Sequence, residues 1–235
     1  MFNRWFPAAI NTRPSEWSRA AIGMALGTLF SVWLCGQVFG VEVAQHLIGP
    51  LGASAVLLFA VSSGALAQPW PVLGGYLSST LIALLVAHVL GRTLGSACLA
   101  AGVALVLMCW LRCLHPPAGA LALTLVLADP LTVAMDWKIL GPVMLGAASL
   151  LLCAVAYNNL TRIRYPKRQS EPVPMIPADH PPGDNLAITA EDLKQALAEM
   201  EAFIDVTPED LEQVIHASER YAKRRIIGDV MTGKA

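Results

Sequence analysis

Charge is what this sequence lacks over most of its length. Between Ala20 and Leu160 the only charged residues are Glu42, Arg92, Arg112, Asp129, Asp136 and Lys138. Over all 235 residues 14% are charged and 55% hydrophobic, with a mean hydropathy of +0.56. A soluble domain carries about a quarter charged residues, so a fold solvated by water is excluded for the long apolar stretch. Carboxylates are equally scarce. Apart from Glu42, none lies away from a segment edge, which excludes a cation pathway or proton relay built from several buried acids. No small-residue cleavage site accompanies the first apolar run, so no cleavable signal is read. Nor does the net charge of −1 offer a nucleic-acid surface. The basic residues instead flank the apolar runs, with Arg4, Arg13 and Arg19 before the first and Arg162, Arg164, Lys167 and Arg168 after the last. Such flanks resist translocation. Both termini are therefore expected on the cytoplasmic side of the inner membrane, with an even number of crossings between them.

What is present is a series of six apolar segments, at 19–40, 47–61, 72–91, 94–112, 115–128 and 138–160. The expected fold is all-α, a polytopic membrane bundle with a short soluble helical segment at its C-terminal side. A spanning helix needs about 20 apolar residues, and the second and fifth segments fall short of that. Each of these two opens on a proline–glycine turn. A shift of 67 positions superposes Leu47 on Leu114, Pro50 on Pro117, Gly52 on Gly119, Trp70 on Trp137 and Gly74 on Gly141. The pattern reads as a duplicated long–short–long unit, about 19–91 and 94–160, with a spacer around Glu42 in the first copy only. Duplicated units with Gly/Pro-interrupted segments in matching places mark a transport pathway between the copies. If the short segments cross the bilayer the copies are inverted; if they re-enter, the copies are parallel. The acidic loop at Asp129 and Asp136 favours crossing.

The organisation expected from this pattern is a cytoplasmic segment at 1–18, the transmembrane domain at 19–160 and a Pro-rich linker at 161–188. Amphipathic helices follow at 189–227, where Leu193, Leu197, Met200 and Phe203 recur at helical spacing. Cys35, Cys98, Cys109, Cys113 and Cys153 all lie in apolar segments and read as small hydrophobes. Cys109 and Cys113, one helical turn apart, leave a soft metal site as the alternative; no metal or cofactor is expected.

The short segments carry the chemistry. Gly49-Pro50-Leu51-Gly52-Ala53-Ser54 and His115-Pro116-Pro117-Ala118-Gly119-Ala120 each place proline at a helix entrance, with small residues behind it. First-turn N–H groups left uncovered by glycine and alanine form a natural anion site. The candidate substrate-binding residues are Gly52, Ala53, Ser54, His115, Gly119 and Ala120, with Ser54 adding a hydroxyl and His115 an imidazole. The alternative use of small residues is close helix packing, which Gly23, Gly27 and Ser31 fit. His88 reads as a structural residue in mid-helix. No catalytic residues are expected, because Ser54 with His115 is the only nucleophile–base pair and no third group is visible to orient it.

The run Ile48–Ala60, then Ala67-Gln68-Pro69 and Leu73-Gly74-Gly75, resembles the HPP family of integral membrane proteins, and His115-Pro116-Pro117 resembles its naming motif. The resemblance implies transport of a small anion, nitrite in chloroplast and cyanobacterial members. Arg224–Thr232 resembles the opening of a CBS domain, so 228–235 is expected to be the start of a truncated CBS-like region without a nucleotide site. The alternative function is a membrane sensor anchoring such a module. The expected partners are the bilayer, a nitrite-like anion and a second copy of the chain as a homodimer, without nucleic acid.

Overall fold

The computed structural model describes residues 14–167 and Ile215. The Pro-rich linker beyond 167, the amphipathic helices and the CBS-like end lie outside the described residues, Ile215 apart. Residues 12–169 form one compact unit. Its helices are α1 (Pro14–Phe39), α2 (Val41–Ala60), α3 (Pro69–Leu90), α4 (Leu94–Trp110), α5 (Pro116–Val126), α6 (Pro130–Met135) and α7 (Leu140–Leu160). Short 3₁₀ turns occupy Ala65–Ala67 and Asp136–Ile139. Among the described residues there is no strand. Helices α1, α2 and α3 and the continuous stretch Pro130–Leu160 are long and apolar enough to cross a bilayer. At 1.5 Å per residue, the 17 residues of α4 reach about 25 Å and the 11 of α5 only about 16 Å.

Polar contacts at the helix ends fix their directions. Arg19, early in α1, donates to Phe59 O at the end of α2 (3.0 Å) and to Asn158 Oδ1 at the end of α7 (2.9 Å). Trp70 Nε1, at the start of α3, donates to Leu111 O just past α4 (3.0 Å). At the opposite end Arg92, following α3, donates to Leu125 O and Val126 O at the close of α5 (2.8 and 3.3 Å). There too Gly141, early in α7, packs against Phe39 at the end of α1. Successive long elements therefore alternate in direction, and α5 runs with α1 and α3. The two ends of the bundle are called here the Arg19 end and the Asp129 end.

The buried faces reveal the duplication more sharply than the identities do. Pro50, Leu51, Ser54, Ala55, Leu58 and Phe59 are the buried residues of α2 from Pro50 on, and Pro117, Ala118, Leu121, Ala122, Leu125 and Val126 those of α5; the shift is 67 throughout. Gly23, Gly27, Ser31 and Cys35 of α1 correspond to Ser96, Ala100, Ala104 and Met108 of α4 at a shift of 73. The difference of six residues is the extra stretch around Glu42 that only the first copy has. Arg19 and Arg92 also differ by 73, and the carbonyls of Phe59 and Val126 that they cap differ by 67. A unit of three alternating helices, repeated once in one chain, is inverted in its second copy. The third helices are exchanged: α7 packs on α1 and α2, whereas α3 packs on α4 and α5. Two three-helix bundles result, meeting where α2 faces α5 and α3 faces α7.

One expectation is corrected here. The second apolar segment is not short: α2 begins at Val41, so Pro50 lies inside a 20-residue helix rather than at its entrance. Residues 41–49 bury Val43, Ala44 and Leu47 on one face, and that burial outweighs the single hydrogen bond a proline removes. The close packing expected of Gly23 and Gly27 is found within the chain. A Cβ on Gly23 would stand 2.5 Å from Phe59 and 2.6 Å from Tyr157, so these glycines serve packing within the chain.

Candidate functional site

Ser54 on α2, Tyr76 on α3 and His115 at the entrance to α5 meet in a fully buried polar cluster. Ser54 Oγ lies 2.8 Å from the Tyr76 hydroxyl and 2.8 Å from His115 Nε2. His115 Nδ1 is 2.9 Å from Leu66 O. A carbonyl only accepts, so Nδ1 carries the proton and donates to Leu66. In the neutral ring Nε2 then accepts from Ser54, whose oxygen is left to accept from Tyr76. The proton order of the whole chain follows from that one carbonyl. Its depth follows from the helices. Ser54 is six residues before the end of α2 and Tyr76 seven after the start of α3, about 9–11 Å below the Arg19 end.

Local sequence explains how His115 is delivered there. Arg112 adopts a left-handed conformation (φ 54°) that turns the chain back toward the bundle. Pro116 disfavours helical geometry at the residue before it, leaving His115 extended (φ −141°, ψ 101°). Gly75 lets this segment approach α3: a Cβ there would stand 2.8 Å from His115 Cβ and 3.2 Å from Cys113 O. The loop bearing Leu66 is tied down as well. Gln68 donates to Ser62 O (3.0 Å) and Gly64 O (2.9 Å) and accepts from Lys167 N (3.0 Å). Tyr165 donates to Ala67 O at 2.6 Å, and burial pushes its phenol above the usual tyrosine range.

Of the residues expected to bind substrate, the structure brings Ser54 and His115 together and leaves the others apart. Gly52 and Gly119 are half-buried beside open space, and Ala53 and Ala120 are exposed. The helix-entrance donors on which they were chosen do not exist. In α2 these residues are internal to the helix. In α5, Pro116 and Pro117 have no N–H, and the Ala118 N–H bonds back to His115 O at 2.9 Å. His88 is not mid-helix but in the last turn of α3, where it faces Asp136 and stacks on Trp137. A nearby orienting group for Ser54–His115, which the sequence did not show, is present as the Leu66 carbonyl. Tyr76 was also missed; its signal was a lone phenol within an apolar helix, which must find a partner when buried. Under the 67-residue shift Ser54 and Tyr76 become Leu121 and Val143, so only one copy is polar. Among the described residues no three His, Cys, Asp or Glu side chains converge to hold a metal ion. A groove of about 420 Å³ on the outer face of α1, lined by Met24, Thr28, Val32 and Ile48 among others, is apolar and remote from the cluster.

Two transmembrane proteins of Dictyostelium discoideum are similar to this chain, 37% identical over 131 residues and 36% over 125. The matches cover 52% and 51% of this chain but only 45% and 40% of those relatives. The chain thus spans less than half the length of the curated relatives it matches. No solved structure gives a significant match. The model of the HPP transmembrane region matches residues 9–166, which takes in every helix described above. The chain belongs to the HPP family of transmembrane proteins.

Proposed function

We propose that this protein carries a small inorganic anion of the nitrite class across the inner membrane, by relative movement of its two inverted bundles. The observation that carries the reading is the Ser54–His115 hydrogen bond. It joins α2 of one bundle to the entrance of α5 in the other, inside a membrane domain that has no carboxylate in the cluster. In the closed arrangement the cluster satisfies itself. Separating the bundles frees the Ser54 and Tyr76 hydroxyls and His115 Nε2 together. Nε2 of the neutral ring has only a lone pair to offer, so an anion gains a third donor when a proton arrives with it. Inverted repeats with a binding site at their interface suit alternating access. A substrate of few atoms matches a site of three polar side chains.

The Arg19 end carries Arg19, Arg112, Arg162, Arg164 and Lys167, whereas the other end carries Arg92 and Lys138. This distribution supports a cytoplasmic Arg19 end. The test is nitrite uptake into sealed proteoliposomes, with and without an inward proton gradient, for the wild type, Ser54→Ala and His115→Gln. Saturable uptake that rises with the gradient and falls in both variants is expected. Absence of flux for nitrite, nitrate, formate and chloride overturns the proposal and leaves the sensor function in front.

A further inference from the structure

Among the described residues, polar contacts join the two bundles toward both ends of the molecule, and their chemistry differs between the ends. At the Arg19 end the junctions are neutral: Ser54 with His115, and the α3 entrance with the chain beyond α7 through Gln68 to Lys167 N and Tyr165 to Ala67 O. At the Asp129 end both junctions are histidine–aspartate pairs. His46 Nε2, near the head of α2, lies 3.5 Å from Asp129 Oδ1 beyond the tail of α5. His88 Nε2, at the tail of α3, lies 3.2 Å from Asp136 Oδ1 at the head of α7.

The proton inventory makes these pairs different in kind from His115. His46 Nδ1 is 2.8 Å from Glu42 O and His88 Nδ1 is 2.8 Å from Leu84 O, so each ring spends an Nδ1 proton on a carbonyl of its own helix. In a neutral ring Nε2 would then point a lone pair at a carboxylate oxygen. Only the doubly protonated imidazolium donates there. We infer that His46–Asp129 and His88–Asp136 form an acid-set latch across the two bundles, closing the Asp129 end when both histidines are protonated and releasing it as the pH rises.

The surroundings are simple enough to follow the sign. Glu42 sits one turn before His46 on the same helix. Arg92, one turn after His88, is committed to the α5 carbonyls, and Lys138 lies two residues past Asp136. The portions of α1, α4 and α7 at this end carry no charged residue. Histidine changes charge between about pH 5 and 8, so the latch is set below that window and lost above it. Trp137, stacked on His88 with ring centroids 5.8 Å apart, adds a cation–π contact that exists only in the charged form.

The use of this latch as a transport gate rests on the proposed function; its existence does not. It is tested by hydrogen exchange on the full chain in lipid nanodiscs at pH 5.5 and 8.5, corrected for intrinsic exchange. A half-exposed ion pair is worth up to about a three- to fivefold change, so two together should change protection by about ten- to twenty-five-fold. Peptides covering 38–46, 84–93 and 127–141 should lose that protection at the higher pH, with 62–68 unchanged. His46→Gln/His88→Gln and, separately, Asp129→Asn/Asp136→Asn should abolish the difference. Equal protection at both pH values, or an undiminished difference in both double variants, overturns the inference. A pH-dependent latch without flux of any anion would refute transport while leaving the latch standing.

Discussion

Gly75→Ala and Gly52→Ala make the same chemical change on two helices, one in each bundle, and the structure assigns them opposite outcomes. Alanine in a helix interior is better than glycine by about 0.5–1 kcal/mol, and that gain is common to both. At Gly52 the added methyl meets nothing within 4 Å, so the gain stands alone. At Gly75 it would meet His115 Cβ at 2.8 Å, Cys113 O at 3.2 Å and Ala118 Cβ at 3.4 Å. None of these atoms is the free end of a flexible side chain, so the whole 113–118 segment must withdraw. Overpacking of this kind costs about 1–3 kcal/mol, which is also the expected difference between the variants because the helix term cancels. For a chain of this size, 1 kcal/mol corresponds to about 2–4 °C. Thermal unfolding in detergent should therefore place Gly75→Ala about 2–12 °C below Gly52→Ala, with Gly119→Ala, also beside open space, close to the latter. The withdrawal pulls His115 from Ser54, so nitrite uptake should fall in Gly75→Ala and persist in the other two. Coincident melting of Gly75→Ala and Gly52→Ala would refute the claim that close approach to α3 holds the histidine in place.

Other perturbations address separate parts of the structure. Ser54→Ala removes one hydroxyl but orphans both His115 Nε2 and the Tyr76 O–H in a buried site, so thermal unfolding should show a loss of about 2–4 kcal/mol, more than Ser149→Ala elsewhere in the core. Arg92→Ala strips the cap from the last carbonyls of α5, and hydrogen exchange should rise at 124–128 before any other segment. Hydrogen bonding from Thr132 holds the Asp129 carboxyl below the usual carboxylate range. Its contribution is therefore present above about pH 4, the unfolded value, and is lost as pH falls through the lower folded one. In melting curves the gap between the wild type and Asp129→Asn should close on acidification below about pH 4, beneath the window in which the latch histidines take up their protons; a gap that widens there would contradict this sign.

How far the residues alone disclose the fold depends on the kind of signal. Helix positions were readable because apolar runs in lipid are long and their ends carry Gly, Pro or charge; α3 and α7 lie within three residues of the expected segments at each end. The extension of α2 back to Val41 was not readable from Gly49-Pro50, because proline inside a helix and proline at its entrance look alike until tertiary burial decides. The duplicated register survived in the small and proline residues, yet its clearest form is in the buried faces, where Cys35 matches Met108 without any likeness of side chain. At the site, His115 and Ser54 stood out individually. Their junction with Tyr76 depends on the exchange of third helices, which local pattern does not encode. Gly52 and Gly119 lie apart from the cluster for a related reason: smallness marks close approach in general, and here it does so at Gly74 and Gly75.

The exchange of third helices also bears on how the chain is assembled. When α3 leaves the ribosome its packing partners α4 and α5 have not been made, and α1 with α2 must wait for α7. Ser78, Ser79 and Thr80 of α3 are buried in the finished protein, so for a time that polar face stands in lipid or against the insertion machinery. Neither half is a self-sufficient folding unit. Two fragments divided between α3 and α4 should each be degraded alone and should restore one another when produced together.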